Sequence, residues 1–145
     1  MNRKTPIPMI ILAIAAIAVA VPFFLVKDGK DIIDWQTDLD GALAQAKSAN
    51  KPLLLDFTAD WCPPCKMMKR VTFSQLHVKE YVEANYIPVR LDMTHRSALT
   101  QKLGTRFAIK YFPTLLVLSS EGVETRRESG GMDAETFLAW LKNES

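Results

Sequence analysis

The chain is poor in the residue types that build metal sites and disulfide frameworks: only two cysteines and two histidines occur in 145 residues. Two thiols are too few to staple a small secreted scaffold. A structural zinc site needs about four ligands, and His77 and His95 do not stand at finger spacing from the cysteines, so no metal is expected. Charge of one sign is missing too. The sequence has 18 basic and 16 acidic residues, and beyond Arg3 and Lys4 the stretch 27–145 carries 16 of each. Clustered Lys and Arg are what phosphate backbones require, so nucleic acid is not an expected partner. Internal repeats and low-complexity tracts are also absent, which leaves one ordinary domain with a single core.

What is present is concentrated in one tetrapeptide. The two cysteines, Cys62 and Cys65, are three residues apart around Pro63 and Pro64. On a helix that spacing brings the sulfurs within bonding reach of each other. A ring so small removes little entropy from the unfolded chain, so a purely stabilising disulfide is a poor explanation for it. A reversible redox pair is the better one.

Ahead of the domain, Ile7 to Val26 gives 20 consecutive uncharged residues, enough for a helix to cross a bilayer. A retained anchor over 7–26 is expected, following a cytoplasmic N-terminus over 1–6. Cleavage as a signal peptide after Ala18-Val19-Ala20 is the alternative. Arg3 and Lys4 on the near side favour an outward-facing remainder. Residues 27–34 read as a charged stalk, and 35–145 as the domain, placed in the periplasm at the inner membrane, where disulfides persist.

Periodicity predicts helices over 38–49, from Cys62 onward, from Ser74 as cap to about Ala84, over 97–107, and from an Asp133 cap to the C-terminus. Leu76, Val78, Tyr81 and Val82 are the inward candidates of the third, and Leu99, Leu103 and Phe107 of the fourth. Strands are predicted at 53–58, 87–91, 115–118 and 123–128, the last two as a hairpin. The order implies an α/β fold: a mixed sheet, parallel in its first part, covered by helices on both faces. Met67 and Met68 are expected to be packing residues rather than copper ligands. Arg126 and Arg127 are expected on a solvated strand face.

The run Ala59-Asp60-Trp61-Cys62-Pro63-Pro64-Cys65-Lys66 resembles the active-site motif of thioredoxins, and Phe112-Pro113-Thr114 resembles their cis-proline loop. Asp60-Trp61-Cys62, Thr72-Phe73-Ser74 and the segment from Gly131 to Phe137 are most similar to the C-terminal periplasmic domain of the membrane thiol-disulfide reductase DsbD. That resemblance implies a thioredoxin fold and assigns Asp56, the one break in an apolar strand, as proton acceptor for Cys65. It also implies a cis bond before Pro113, with Phe112, Pro113 and Trp61 receiving the client.

From elementary chemistry, a thiol at a helix N-terminus is stabilised as thiolate, which makes Cys62 the expected nucleophile and the less exposed Cys65 the resolving thiol. Proline lacks an N–H, so Pro63 and Pro64 would withdraw a donor from the Cys62 sulfur and tune the potential; Pro64 starting the helix is the plainer account. The expected activity, to which the resemblance points, is reduction of client disulfides by dithiol-disulfide exchange through Cys62 and Cys65, with no cofactor beyond the cysteine pair. The expected partners are disulfide-bearing client proteins and a membrane thiol donor. An oxidase or isomerase role, or a thiolate copper carrier, remain alternatives at this point.

Overall fold

The computed structural model describes residues 29–142. Helix α1 (Leu39–Ala49) starts where the Asp38 carboxylate accepts from the Asp40 amide, and it stops at Asn50 in the left-handed region. Then follow β1 (Leu53–Thr58), α2 (Pro63–Val71), α3 (Leu76–Asn85), β2 (Ile87–Asp92), α4 (Ala98–Arg106), β3 (Thr114–Leu118), β4 (Glu124–Ser129) and α5 (Ala134–Lys142). This is the predicted order. The strands lie β2-β1-β3-β4, with β1 parallel to β2 and antiparallel to β3, and β3–β4 an antiparallel hairpin.

Strand β1 is buried at every position because it pairs on both edges and is covered on both faces. Successive side chains of a strand point to opposite faces. Leu53, Leu55 and Phe57 join Ala42 and Ala46 of α1 and Leu103 of α4 in one apolar layer. Leu54 joins Met68 of α2, Val78 and Val82 of α3 and Phe137 of α5 in the other. Asp56 follows Leu54 by two and therefore shares the face that α2 covers.

Several expectations need correction. Ser74 does not cap α3: its hydroxyl donates to the Arg70 carbonyl, while the α3 N-cap is Gln75, without a side-chain bond. The α2 end explains this, since the Thr72 and Phe73 amides both return to the Met68 carbonyl and leave Ser74 beside that last turn. Leu76 and Leu99 are exposed. A four-residue interval drifts about 40° per step around a 3.6-residue helix, which carries Leu99 off the stripe that buries Leu103 and Phe107. Residues 29–34 are no free stalk: Ile33 is buried in the core and the Ile32 amide donates to the Phe73 carbonyl. The anchor expected over 7–26 lies outside the described residues. Among the described residues, no helix is long and apolar enough to cross a membrane.

The arginines of β4 do more than face solvent. Alternation sends them to opposite faces, and each finds a helix C-terminus, where carbonyls lack partners. Arg126 donates from Nη1 to the Trp140 and Leu141 carbonyls of α5, and Arg127 from Nη2 to the Phe107 carbonyl that closes α4. Arg126→Met removes the charge-assisted bonds and retains the aliphatic stem. It should lower unfolding free energy by about 1–3 kcal/mol, read as a reduced urea midpoint at unchanged m-value.

Candidate active site

The site is built where β1 ends. Ala59 accepts from the Cys62 amide, turning the chain into α2 with Cys62 as N-cap in extended conformation. Pro63 and Pro64 occupy the first two helical positions, so the helix starts one residue earlier than expected for Pro64 alone. Their fixed φ suits a first turn, and the missing N–H groups would have had no intrahelical partner there. Of the first three helical residues only Cys65 retains an amide, and it donates to the Cys62 sulfur at 3.3 Å. Donor withdrawal and helix initiation thus describe the same two residues.

The cysteines are joined as a disulfide with Cα atoms 5.3 Å apart. Cys62 is 3% exposed and Cys65 2%. The expected contrast in access is therefore very small in the oxidised pair. Ala59 forms a buried cluster with the two cysteines, and Phe112 packs against it.

Trp61 stands out beside them, 60% exposed, edge-on to Phe112 at 5.6 Å between ring centroids. The Phe112–Pro113 bond is cis, as the resemblance implied. The Pro113 carbonyl accepts from the Gly130 amide, and the Thr114 hydroxyl donates to the Tyr111 carbonyl, which ties this loop to the hairpin. On the other flank, the loop before α5 comes close to α2: a Cβ on Gly131 would lie 2.7 Å from the Met67 methyl and 3.2 Å from the Pro64 Cβ, so a larger residue would displace the Met67 side chain. The buried Thr72 hydroxyl reinforces that approach by donating to the Met132 carbonyl. Met68 is core and Met67 packs beside it, as expected of gap-fillers.

A clamp that the sequence reading missed holds the Trp61 loop. The Thr94 hydroxyl accepts from the Asp60 amide at 2.8 Å, and its carbonyl accepts from the Trp61 indole at 3.2 Å. Asp92 orients Thr94 by accepting from both its amide and its hydroxyl. These bonds, the hydroxyl's first, hold the Asp92 carboxyl below its ordinary range. The legible signal was Asp92-Met93-Thr94, an Asx-turn pattern just after a strand.

Asp56 is buried, and burial raises its pKa above the ordinary carboxylate value, against the lowering effect of Arg90. Arg90 of β2 is its partner, from Nε to Oδ2 at 2.8 Å, and was also missed. Among the described residues no hydrogen-bond partner reaches Asp56 Oδ1. The structure thus brings Cys62, Cys65, Trp61, Phe112 and Pro113 together, and sets Asp56 under the helix that carries Cys65. The histidines stand apart from this cluster: His77 lies 3.6 Å from Glu135, and the His95 carbonyl accepts from the Thr100 hydroxyl.

A redox pair on a helix start beside a cis-proline loop finds close parallels. The family model for a thioredoxin-like domain matches residues 39–145. A thiol:disulfide interchange protein DsbD from Pseudomonas sp. (strain JR1 / K1) is 38% identical over 111 residues, 75% of this chain and 18% of that protein. The chain thus spans under a fifth of the length of the curated relatives it matches. The crystal structure of the oxidised Neisseria meningitidis DsbD C-terminal domain superposes with a TM-score of 0.64 at 27% identity, covering 77% of this chain and 99% of that one. A thioredoxin from Thermus thermophilus shares the fold, with a TM-score of 0.67 at 23% identity over 77% of this chain and 85% of that one. The chain belongs to the thioredoxin-like domain family.

Proposed function

We propose that this protein is a thiol-disulfide oxidoreductase that reduces client disulfides through Cys62 and Cys65, held at the periplasmic face of the inner membrane by its N-terminal apolar segment. The observation that carries the reading is the cysteine pair itself: both sulfurs on the first turn of α2, beside a cis-proline loop. The 38% identity to a thiol:disulfide interchange protein supports the chemistry. The 20 uncharged residues from Ile7 to Val26 support the anchor.

In the reduced protein the Cys62 thiolate attacks a client disulfide. A bond forms between Cys62 and one client sulfur, and the other client sulfur leaves as thiolate and takes a proton from solvent. The Cys65 thiol passes its proton to the Asp56 carboxylate, and the resulting thiolate attacks the Cys62 sulfur. The Cys62–Cys65 disulfide forms and the client departs reduced by two electrons. A dithiol donor in the membrane then reduces the pair by the reverse exchange.

The client lies across Phe112 and Pro113, whose backbone offers an extended edge of the kind that strand addition uses. Trp61 supplies an aromatic wall at that edge. Because Phe112 packs against the buried cysteine cluster, opening the pair to a client involves that contact giving way.

Replacing Cys65 with Ala should leave attack intact and block release, so clients and donor accumulate as mixed disulfides with Cys62 on non-reducing gels. Cys62→Ser should give none. Equal trapping by both variants, or by neither, contradicts the assignment. Asp56→Asn should slow client release by roughly 100-fold or more. In the parent protein the release rate should fall as pH drops through the raised Asp56 pKa, because only the carboxylate accepts a proton. That acid limb should vanish in Asp56→Asn, as read by stopped-flow release from a preformed mixed disulfide.

A further inference from the structure

The segment ahead of α1 reaches the same carboxylate that the mechanism uses. Arg90 donates from Nη1 to Asp31 Oδ2 at 2.5 Å and from Nε to Asp56 Oδ2 at 2.8 Å, so two carboxylates share one guanidinium. The guanidinium lies over the Trp35 ring at 4.3 Å and the Phe73 ring at 5.3 Å, which leaves it little lateral freedom. Asp31 is itself fixed, its Oδ1 accepting from the Ile33 amide at 3.1 Å and the Trp35 indole at 3.2 Å. Asp56 Oδ1 and Arg90 Nη2, both buried, have no hydrogen-bond partner among the described residues.

We propose that Asp31 is a positioning residue for Asp56, acting through Arg90. The proposal rests on the reading of Asp56 as proton acceptor. Its geometry is that of a lever with two ends. The Asp31 carboxylate takes one edge of the guanidinium, which leaves Nε for Asp56 Oδ2 and orients Oδ1 as the unpaired atom available to a proton. Its charge also opposes, in part, the stabilisation that Arg90 gives the Asp56 carboxylate.

The charged groups that act on Asp56 are Arg90, Asp31 and, from α2, Lys69. Burial and Asp31 favour its protonated form, whereas Arg90 and Lys69 favour the carboxylate. Removing Asp31's charge therefore gives the cation wholly to Asp56 and lowers its proton affinity. Removing Arg90 does the reverse, since it leaves a buried carboxyl facing a second carboxylate. A role confined to fold stability gives no reason for opposite signs from the two ends of one network.

The test uses the reduced full chain and two readouts: the Asp56 midpoint from carbon-13 carboxyl NMR titration, and the pH profile of release from a preformed mixed disulfide. Asp31→Asn, which is isosteric, should move both midpoints down by about one pH unit. Asp31→Glu should keep them near the parent value, and Arg90→Gln should move them up. Should Arg90→Gln fail to fold, the Asn and Glu variants at Asp31 still decide the matter. An unchanged NMR midpoint in Asp31→Asn, or an upward one, overturns the proposal. A release profile that Asp56→Asn leaves unaltered would instead remove Asp56 as the proton acceptor, whatever the NMR midpoints do.

Discussion

A helix that begins on two prolines constrains the rest of this site. Cys62 must be the N-cap, since Pro63 already has helical geometry, and its sulfur must meet the Cys65 amide, since neither proline has one to offer. A sulfur at that position sits at the positive end of the α2 dipole. A residue with an N–H in place of Pro64, the second helical position, would have offered the sulfur a second amide. The Cys62 sulfur is thus served by one donated bond and the helix end.

Everything that surrounds α2 keeps that turn in place. Thr94 fixes the loop leading into it, Phe112 of the cis-proline loop packs against the cysteine cluster, and the Thr72 hydroxyl ties the Met132 carbonyl to its far end. Beneath it, β1, which like β3 is paired on both edges and fully buried, supplies a carboxylate. Burial raises that group's proton affinity and Arg90 restrains the rise. In the proposed mechanism, a carboxyl under these opposed influences would take up a proton and return it in each cycle.

Much of this was legible in the sequence, for definite reasons. Element order followed from apolar periods and caps: Asp38 opens α1, Ser97 opens α4 with a capping box, and the Asp133 carboxylate accepts from the Thr136 amide at the start of α5. Asp56 could be read as buried because it interrupts an apolar run that only a central strand would carry. Arg90 could not, since an arginine on a strand commonly reaches solvent; the Trp35 and Phe73 rings that enclose it come from distant parts of the chain. Asp31 was hidden for a related reason. It lies in a charged stretch that resembles a spacer, and only Ile33 and Trp35 beside it show that the stretch docks. Leu76 and Leu99 mark the opposite error, apolar residues counted as core on intervals that the helical period does not sustain.

The central claim is that Cys62 alone is poised as a thiolate once the pair is reduced. Alkylation of the reduced protein with limiting iodoacetamide at neutral pH, mapped by peptide mass, measures this directly. The account predicts rapid modification at Cys62 with Cys65 left free. Slow, equal labelling of both, or preferential labelling of Cys65, would contradict it.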